Sequence, residues 1–243
     1  MARRRFFVDS VHSGHAQLAG PEAHHLTRVL RVEPGQKYEI SDNQDVYLAQ
    51  IESARKDLVS FAIVERVETP PPALRSILVA SLIKFERFEW IVEKATELGA
   101  ERIVPVETER TEKGLARAAE KRLPRWRRIA REASEQSRRA RLPEIDAPLG
   151  LAQALQLAAD HRYVLEEEAA PPILTRLPSE RRAQDRVAVL IGPEGGWTDR
   201  ERPDIAVAGW AAVSLGLEIL RAETAAIAAL AILNAAWSGP RQS

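Results

Sequence analysis

The chain has no cysteine, a single methionine and few aromatic residues, which make up 5% of its 243 positions. Without thiols there is no disulfide, no thiolate metal site and no cysteine nucleophile. Long hydrophobic runs are missing too. The start, Met1-Ala2-Arg3-Arg4-Arg5-Phe6-Phe7, is basic but lacks the apolar stretch of a signal peptide. The most apolar segment, Ala222 to Trp237, is short for a bilayer span. No membrane association is expected, and a cytoplasmic location is. Also absent are the Walker loop G-x-x-x-x-G-K-[ST], the G-x-G-x-x-G fingerprint and the G-x-S-x-G elbow. His24-His25 is a histidine pair without a second ligand cluster, and neighbours on a helix face different ways, so no metal is expected.

What is present is unevenly spread. Net charge is zero, yet residues 1–31 carry five Arg against two acids, and residues 101–142 carry thirteen Lys and Arg against seven acids. Two basic segments in an otherwise acidic chain suggest a polyanion bound at one face. A solvated helix laced with pairs such as Arg128–Glu132 and Arg131–Glu135 explains the same pattern, and composition does not choose between them.

Residues 1–68 alternate short apolar strands with turns at Pro34-Gly35 and Asp42-Asn43-Gln44-Asp45, the grammar of a small β-barrel. Thr69-Pro70-Pro71-Pro72-Ala73 then forms a stiff linker over residues 69–73. From residue 74 to 243 strands alternate with helices, which predicts an α/β domain with a mainly parallel sheet. Strands are expected at Ile77–Ile83, Arg102–Val106, Tyr163–Leu165, Val187–Ile191 and Ala212–Ser214. A helix is expected from Glu86 to Leu98, with Phe88, Ile91, Val92, Ala95 and Leu98 on one face and Gly99 as its stop. A long basic helix is expected from Leu115 or Pro124 to Arg139. The last helix, from Ala222, is apolar all round and should be buried on most sides.

The most informative stretch is Val187-Ala-Val-Leu-Ile-Gly-Pro-Glu-Gly-Gly-Trp-Thr198. A β-branched strand stops at Gly192, and a glycine-bearing loop lets backbone approach a ligand closely. Thr198 or Asp199 is placed to cap a following helix, with Glu201 in its first turn. A second such loop, Ser214-Leu215-Gly216, also follows a strand. Neither loop carries Lys or Arg, so an uncharged, backbone-lined slot for an adenosine-sized ligand is expected.

Several further segments fall in order along the chain: Arg5-Phe6-Phe7; His24-His25-Leu26-Thr27-Arg28-Val29-Leu30-Arg31; Lys84-Phe85-Glu86-Arg87-Phe88-Glu89; Lys94-Ala95-Thr96-Glu97-Leu98-Gly99; Glu109-Arg110-Thr111; and Glu135-Gln136-Ser137. With Ile191 to Gly196 and Leu215-Gly216 through Ala225, they resemble the RsmE-type ribosomal RNA methyltransferases of the knotted SPOUT superfamily, nearly end to end. The resemblance implies a PUA-like, RNA-binding β-barrel at 1–68 and an α/β methyltransferase domain at 74–243 with a carboxyl-terminal trefoil knot. It implies S-adenosylmethionine as cofactor, a homodimer, and methylation of N3 of one uridine in 16S ribosomal RNA, at the decoding centre of the small ribosomal subunit. The alternatives are a non-catalytic RNA-binding or assembly factor and a methyltransferase acting on another RNA nucleotide.

Leu190, Ile191, Gly192, Pro193, Gly195, Gly196, Ser214, Leu215, Gly216, Leu220, Thr224 and Ala225 are the expected cofactor residues. Arg5, His25, Arg28, Arg31, Lys84, Arg110 and Gln136 are expected to meet RNA, with Arg3 and Arg4 as a phosphate-attracting tail. Arg139 and Arg87 are candidates to stabilise charge on the uracil; Glu135 is a candidate base, as is Glu223, and Glu194 is a candidate to hold the loop. The chain departs from the family's Glu-Gln-Ser-Gly-Arg-Asn: Arg138 stands at the glycine and Ala140 at the asparagine. Glu218 stands where Arg is common.

Overall fold

The computed structural model describes residues 5–239, so Arg3 and Arg4 lie outside the described residues. The chain divides into two compact units, residues 1–70 with 131–142, and residues 71–130 with 143–243. The sequence reading keeps 131–142 within one continuous second domain; the partition groups this segment with the first unit.

In the first unit, strands β1 (Arg5–Phe7), β2 (Val11–His12), β3 (His15–Ala19), β4 (Lys37–Ser41), β5 (Val46–Arg55) and β6 (Leu58–Val67) form one sheet ordered β1-β4-β5-β6-β3-β2. Only the β1–β4 pair is parallel. Alternation along β3 buries Ala16 and Leu18 and exposes His15 and Gln17. Helix α1 (Gly20–Arg28), which starts with proline in its first turn, adds Ala23 and Leu26 to a core with Phe6, Ile40, Ile51, Val59 and Phe61. The Pro34-Gly35 turn forms with Gly35 at φ +89°, and Asp42 Oδ1 accepts the amides of Gln44 and Asp45 to shape the next turn.

The second unit is an all-parallel sheet ordered β10-β8-β7-β12-β11-β13, with β9 beside β8. Its strands are β7 (Leu74–Ser81), β8 (Arg102–Glu107), β9 (Glu144–Ile145), β10 (Leu149–Gly150), β11 (His161–Leu165), β12 (Asp185–Ile191) and β13 (Ala211–Val213). The connecting helices are α2 (Phe85–Glu97), α3 (Leu115–Glu120), α4 (Leu123–Gln136), α5 (Leu151–Ala154), α6 (Ile173–Arg176), α7 (Glu201–Val207) and α8 (Ala222–Trp237). Both faces of the sheet are covered, as a parallel sheet requires. Leu78, Val187, Val189 and Ile191 share one core with Phe88, Ile91, Trp126, Ala226 and Leu230. Val79, Ala188 and Leu190 face the other, with Ala154, Trp197, Ile205 and Trp210.

Two helices differ from expectation. The basic stretch is two helices, and the second ends at Gln136 rather than Arg139. Helix α8 buries a broad stripe against α2, β7 and β12 but leaves Thr224, Ala231 and Ala235 exposed. Alanine exposes so little apolar area that composition alone does not reveal this open side. Among the described residues, no helix is long and apolar enough to cross a membrane.

Candidate cofactor pocket and basic segments

Strands β11 and β12 run side by side and parallel, so their carboxyl ends open at the same edge of the sheet. Beyond them lies a pocket of about 720 Å³, counting its open mouth. Ile191 at the end of β12 and Gly192, Pro193 and Gly196 of the loop after it line it, with Leu215, Gly216 and Leu220 from the loop after β13 and Ala225 from α8. Trp197 forms a wall, its indole Nε1 donating to the Leu165 carbonyl at 3.0 Å. A β-carbon on Gly192 would sit 3.1 Å from the Trp197 ring, which is why the loop begins with glycine. Gly196 has φ +68°, closing a turn onto Pro193. Ser81 Oγ holds the Ile191 carbonyl at 2.9 Å, tying the end of β12 to β7. Thr198 and Glu201 cap α7 reciprocally: Thr198 Oγ1 accepts the Glu201 amide at 3.2 Å, and Glu201 Oε2 accepts the Thr198 amide at 3.0 Å.

Four expected residues do not line this pocket. Leu190 points into the opposite core, because side chains alternate along β12 and Ile191 takes the pocket side. Ser214 is bonded to the 170–173 segment, its hydroxyl donating to the Ala170 carbonyl at 3.0 Å and its amide to Pro171 at 2.9 Å. Thr224 is exposed, since Ala222 and Ala225 occupy the pocket-facing positions of the first turn of α8. Gly195 is exposed and covered on one side by Arg110, whose Nη1 donates to its carbonyl.

Sequence reasoning missed the contribution of β11. Leu165, Glu166 and Glu167 line the pocket, together with Arg202 and Glu218. Burial raises the Glu166 pKa above its ordinary value, and the facing Arg202 at 3.3 Å offsets this only in part. Arg202 also pairs with Glu168 at 2.9 Å. The wall thus carries four carboxylates, Glu166, Glu167, Glu194 and Glu218, against one guanidinium. Strand Tyr163–Leu165 followed by three glutamates was the available signal. It reads as a solvated turn until the strand order is known.

Arg87, on α2, donates to Glu194 on the loop and lies 3.9 Å from Glu223. Glu223 is 5% exposed, and its Oε2 has no hydrogen-bond partner. Lys84 and Arg110 are exposed. No group of three or more potential metal ligands occurs among the described residues.

In the first unit, His25, Arg28 and Arg31 are exposed at and beyond the end of α1. Arg5 is not: it is 6% exposed, directly opposite Glu39 in the β1–β4 pair, with Nη2 2.8 Å from the Glu39 carboxylate and Nη1 2.6 Å from the Arg138 carbonyl. It is a structural arginine, with no face left for RNA. Arg138 adds a second cation to Glu39, at 2.9 Å. Burial opposes ionisation of Glu39, but hydrogen bonds from Arg138 and Arg5 and their charges outweigh it and hold its pKa below the ordinary value.

Arg138 has φ +57°. The Ser137 amide bonds Ala133 and the Arg139 amide bonds Ser134, the pattern of a helix end that wants glycine one position beyond the cap. Glycine adopts this left-handed backbone at no steric cost, whereas arginine does not. Ser41 Oγ on the Ala140 carbonyl (2.7 Å) and the Leu142 amide on Asn43 (2.7 Å) bind the segment further. Glu135 lies 3.7 Å from Arg131, Gln136 is exposed, and Arg139 Nε donates to the Arg141 carbonyl at 3.0 Å.

The RNA methyltransferase domain family matches residues 70–234, and the RNA methyltransferase PUA domain family matches residues 18–64. A relative from Synechocystis, called ribosomal RNA small subunit methyltransferase E, is 36% identical over 90% of this chain and 72% of its own length. The Bacillus subtilis protein of the same name is 31% identical over 89% of this chain and 88% of its own. A methyltransferase from Legionella pneumophila, solved with bound S-adenosylmethionine, superposes with a TM-score of 0.87 at 30% identity, covering 97% of this chain and 98% of that one. A ribosomal RNA small subunit methyltransferase E from Neisseria gonorrhoeae, also bound to S-adenosylmethionine, gives 0.83 at 30% identity, covering 97% and 98%.

Proposed function

The chain belongs to the ribosomal RNA small subunit methyltransferase E family, and from that premise we propose that it transfers a methyl group from S-adenosylmethionine to N3 of one uridine in 16S ribosomal RNA, at the decoding centre. The observation that carries this reading is the loop-built pocket at the ends of β11 and β12, in a chain whose relatives at 30% identity hold S-adenosylmethionine. The residues fit that group. Leu165, Ile191, Leu215 and Leu220 offer apolar walls to an adenosine-sized moiety, and the excess of carboxylates suits a sulfonium cation.

When bound, the donor supplies an electrophilic methyl group; the remaining demands fall on side chains. Uridine N3 carries a proton, so transfer needs a base and stabilisation of charge on the uracil oxygens. We assign Arg139 and Arg87 to the charge. Arg87 is supported by its place beside Glu194 on the pocket's loop, and Arg139 by the main-chain bond that orients its guanidinium. Glu135 is our assignment for the base, with Glu223 the other carboxylate that suits the role. For RNA, the exposed His25, Arg28 and Arg31 of the PUA-like unit, and Lys84, Arg110 and Gln136, supply cations and hydrogen-bond groups.

The reading carries three further proposals. A homodimer would cover Leu217 and Ile219, which stand exposed beside the pocket. A trefoil knot through α8 is supported by the burial of that helix against α2, β7 and β12. The cytoplasm is the compartment in which such a substrate occurs. Mass mapping of small-subunit RNA from cells lacking this protein tests the reaction: one decoding-centre uridine should lose its N3 methyl group. An unchanged map rejects the target.

A further inference from the structure

Several cations on the second unit are paired. Arg75 meets Glu101, Arg102 meets Asp146 and Glu144, Lys94 meets Glu93 and Glu97, Arg125 meets Glu89, and Arg202 meets Glu166 and Glu168. The stretch through α3 into α4 is the most densely basic. Residues 111–130 carry seven Lys and Arg against two acids, Glu112 and Glu120. All seven cations are exposed. Lys113, Arg117 and Lys121 have no ion pair among the described residues. Arg117 and Lys121 stand four residues apart along α3 and its C-cap, where like charges repel by a few tenths of a kcal/mol. Arg122 lies over the Phe85 ring, 4.9 Å from its centroid, and 3.7 Å from Glu89, contacts that fix its guanidinium at the surface.

A dense run of exposed cations with few acids among them suits a partner that brings its own negative charge. We propose that Lys113, Arg117 and Lys121, with Arg122 beside them, form a phosphate-binding ridge that tracks the RNA backbone away from the reacting nucleotide. The proposal rests on ribosomal RNA being the substrate and extends it to a surface outside the pocket and outside the motif arginines. Phosphate contacts set position without reading sequence, so the ridge contributes equally to target and non-target RNA. Each cation lost from such a contact lowers the slope of log affinity against log salt by about 0.7 to 0.9.

The test is RNA binding across a salt series by the full chain and by the triple variant Lys113→Ala, Arg117→Ala, Lys121→Ala. Two probes are used, a small-subunit ribosomal RNA fragment and an unrelated RNA of equal length. Alanine suits a helix, so the variant should keep its Tm. The expected slope falls by about two, affinity at low salt drops at least tenfold for both probes, and KM for RNA rises while kcat at saturating RNA is kept. As a control of equal charge loss, Arg176→Ala, Arg181→Ala, Arg182→Ala should leave the slope at the wild-type value. An unchanged slope in the ridge variant overturns the proposal, as does a loss confined to the ribosomal fragment or shared by the control. Failure of wild type to methylate the RNA would instead reject the parent reading, since binding is read separately.

Discussion

The pocket of the second unit and the 131–142 segment of the first are built by opposite means. The pocket is main chain: strand ends, glycines and a tryptophan fixed by one carbonyl, with acidic side chains only at its walls. The segment is side chain: Arg5 and Arg138 converge on Glu39, and Arg131 reaches the Phe7 carbonyl. Two helix ends make the contrast sharp. Helix α2 stops with Gly99 at φ +85°, and α4 stops with Arg138 at φ +57°, in the same hydrogen-bond pattern. Glycine adopts that backbone at no steric cost; arginine does not, and the ion pair to Glu39 offsets the strain. A backbone-built site tolerates few substitutions, whereas a charge-built one should respond gradually and to pH.

The largest expected effect is in the pocket. Gly192→Val forces branched carbons into the Trp197 ring and should lower donor affinity by about a hundredfold in calorimetry, from overpacking of 1–3 kcal/mol plus loss of the loop's close approach. Next comes Arg87→Ala, which strands the buried Glu223 without its nearest cation and should lower kcat tenfold or more, with donor affinity within threefold of wild type. If kcat survives, Arg87 has no role in charge stabilisation.

In the first unit effects should be smaller. The lowered pKa of Glu39 means that its contribution to stability is complete above the ordinary value of 4.5 and is lost as pH falls through its folded value. Glu39→Gln should therefore lower Tm at pH 7 and narrow its gap to wild type in acid; a gap that stays constant with pH contradicts the assignment. The smallest effect isolates the backbone. Arg138→Gly and Arg138→Ala both lose the ion pair, but only alanine keeps the left-handed strain, so the glycine variant should be more stable by about 1 kcal/mol. Equal melting temperatures would mean that Arg138 is not strained.

The same contrast governs what was legible in sequence. Strands and loops of the pocket announce themselves locally: Val187–Ile191 is a run that ends in glycine, and Thr198 with Glu201 is a capping pair three residues apart. The β11 wall was hidden, because Glu166 and Glu167 gain meaning only when β11 lies beside β12. Leu190 and Ser214 were misplaced for a related reason, since strand alternation and the 170–173 loop decide which side each takes. Arg5 reads as part of an exposed basic start, and nothing local shows that Glu39 waits opposite it 34 residues later. Charge-built structure depends on distant partners, and a single sequence does not display those pairings.

The central claim is that the Gly192–Gly196 loop holds S-adenosylmethionine for transfer to RNA. Calorimetric titration of the donor into the wild-type chain tests it most directly, with Gly192→Val, shown by its melting curve to be folded, alongside. One saturable site per chain is expected in the wild type, weakened by about two orders of magnitude in the variant. No detectable binding at millimolar donor, or equal binding by both proteins, would contradict it.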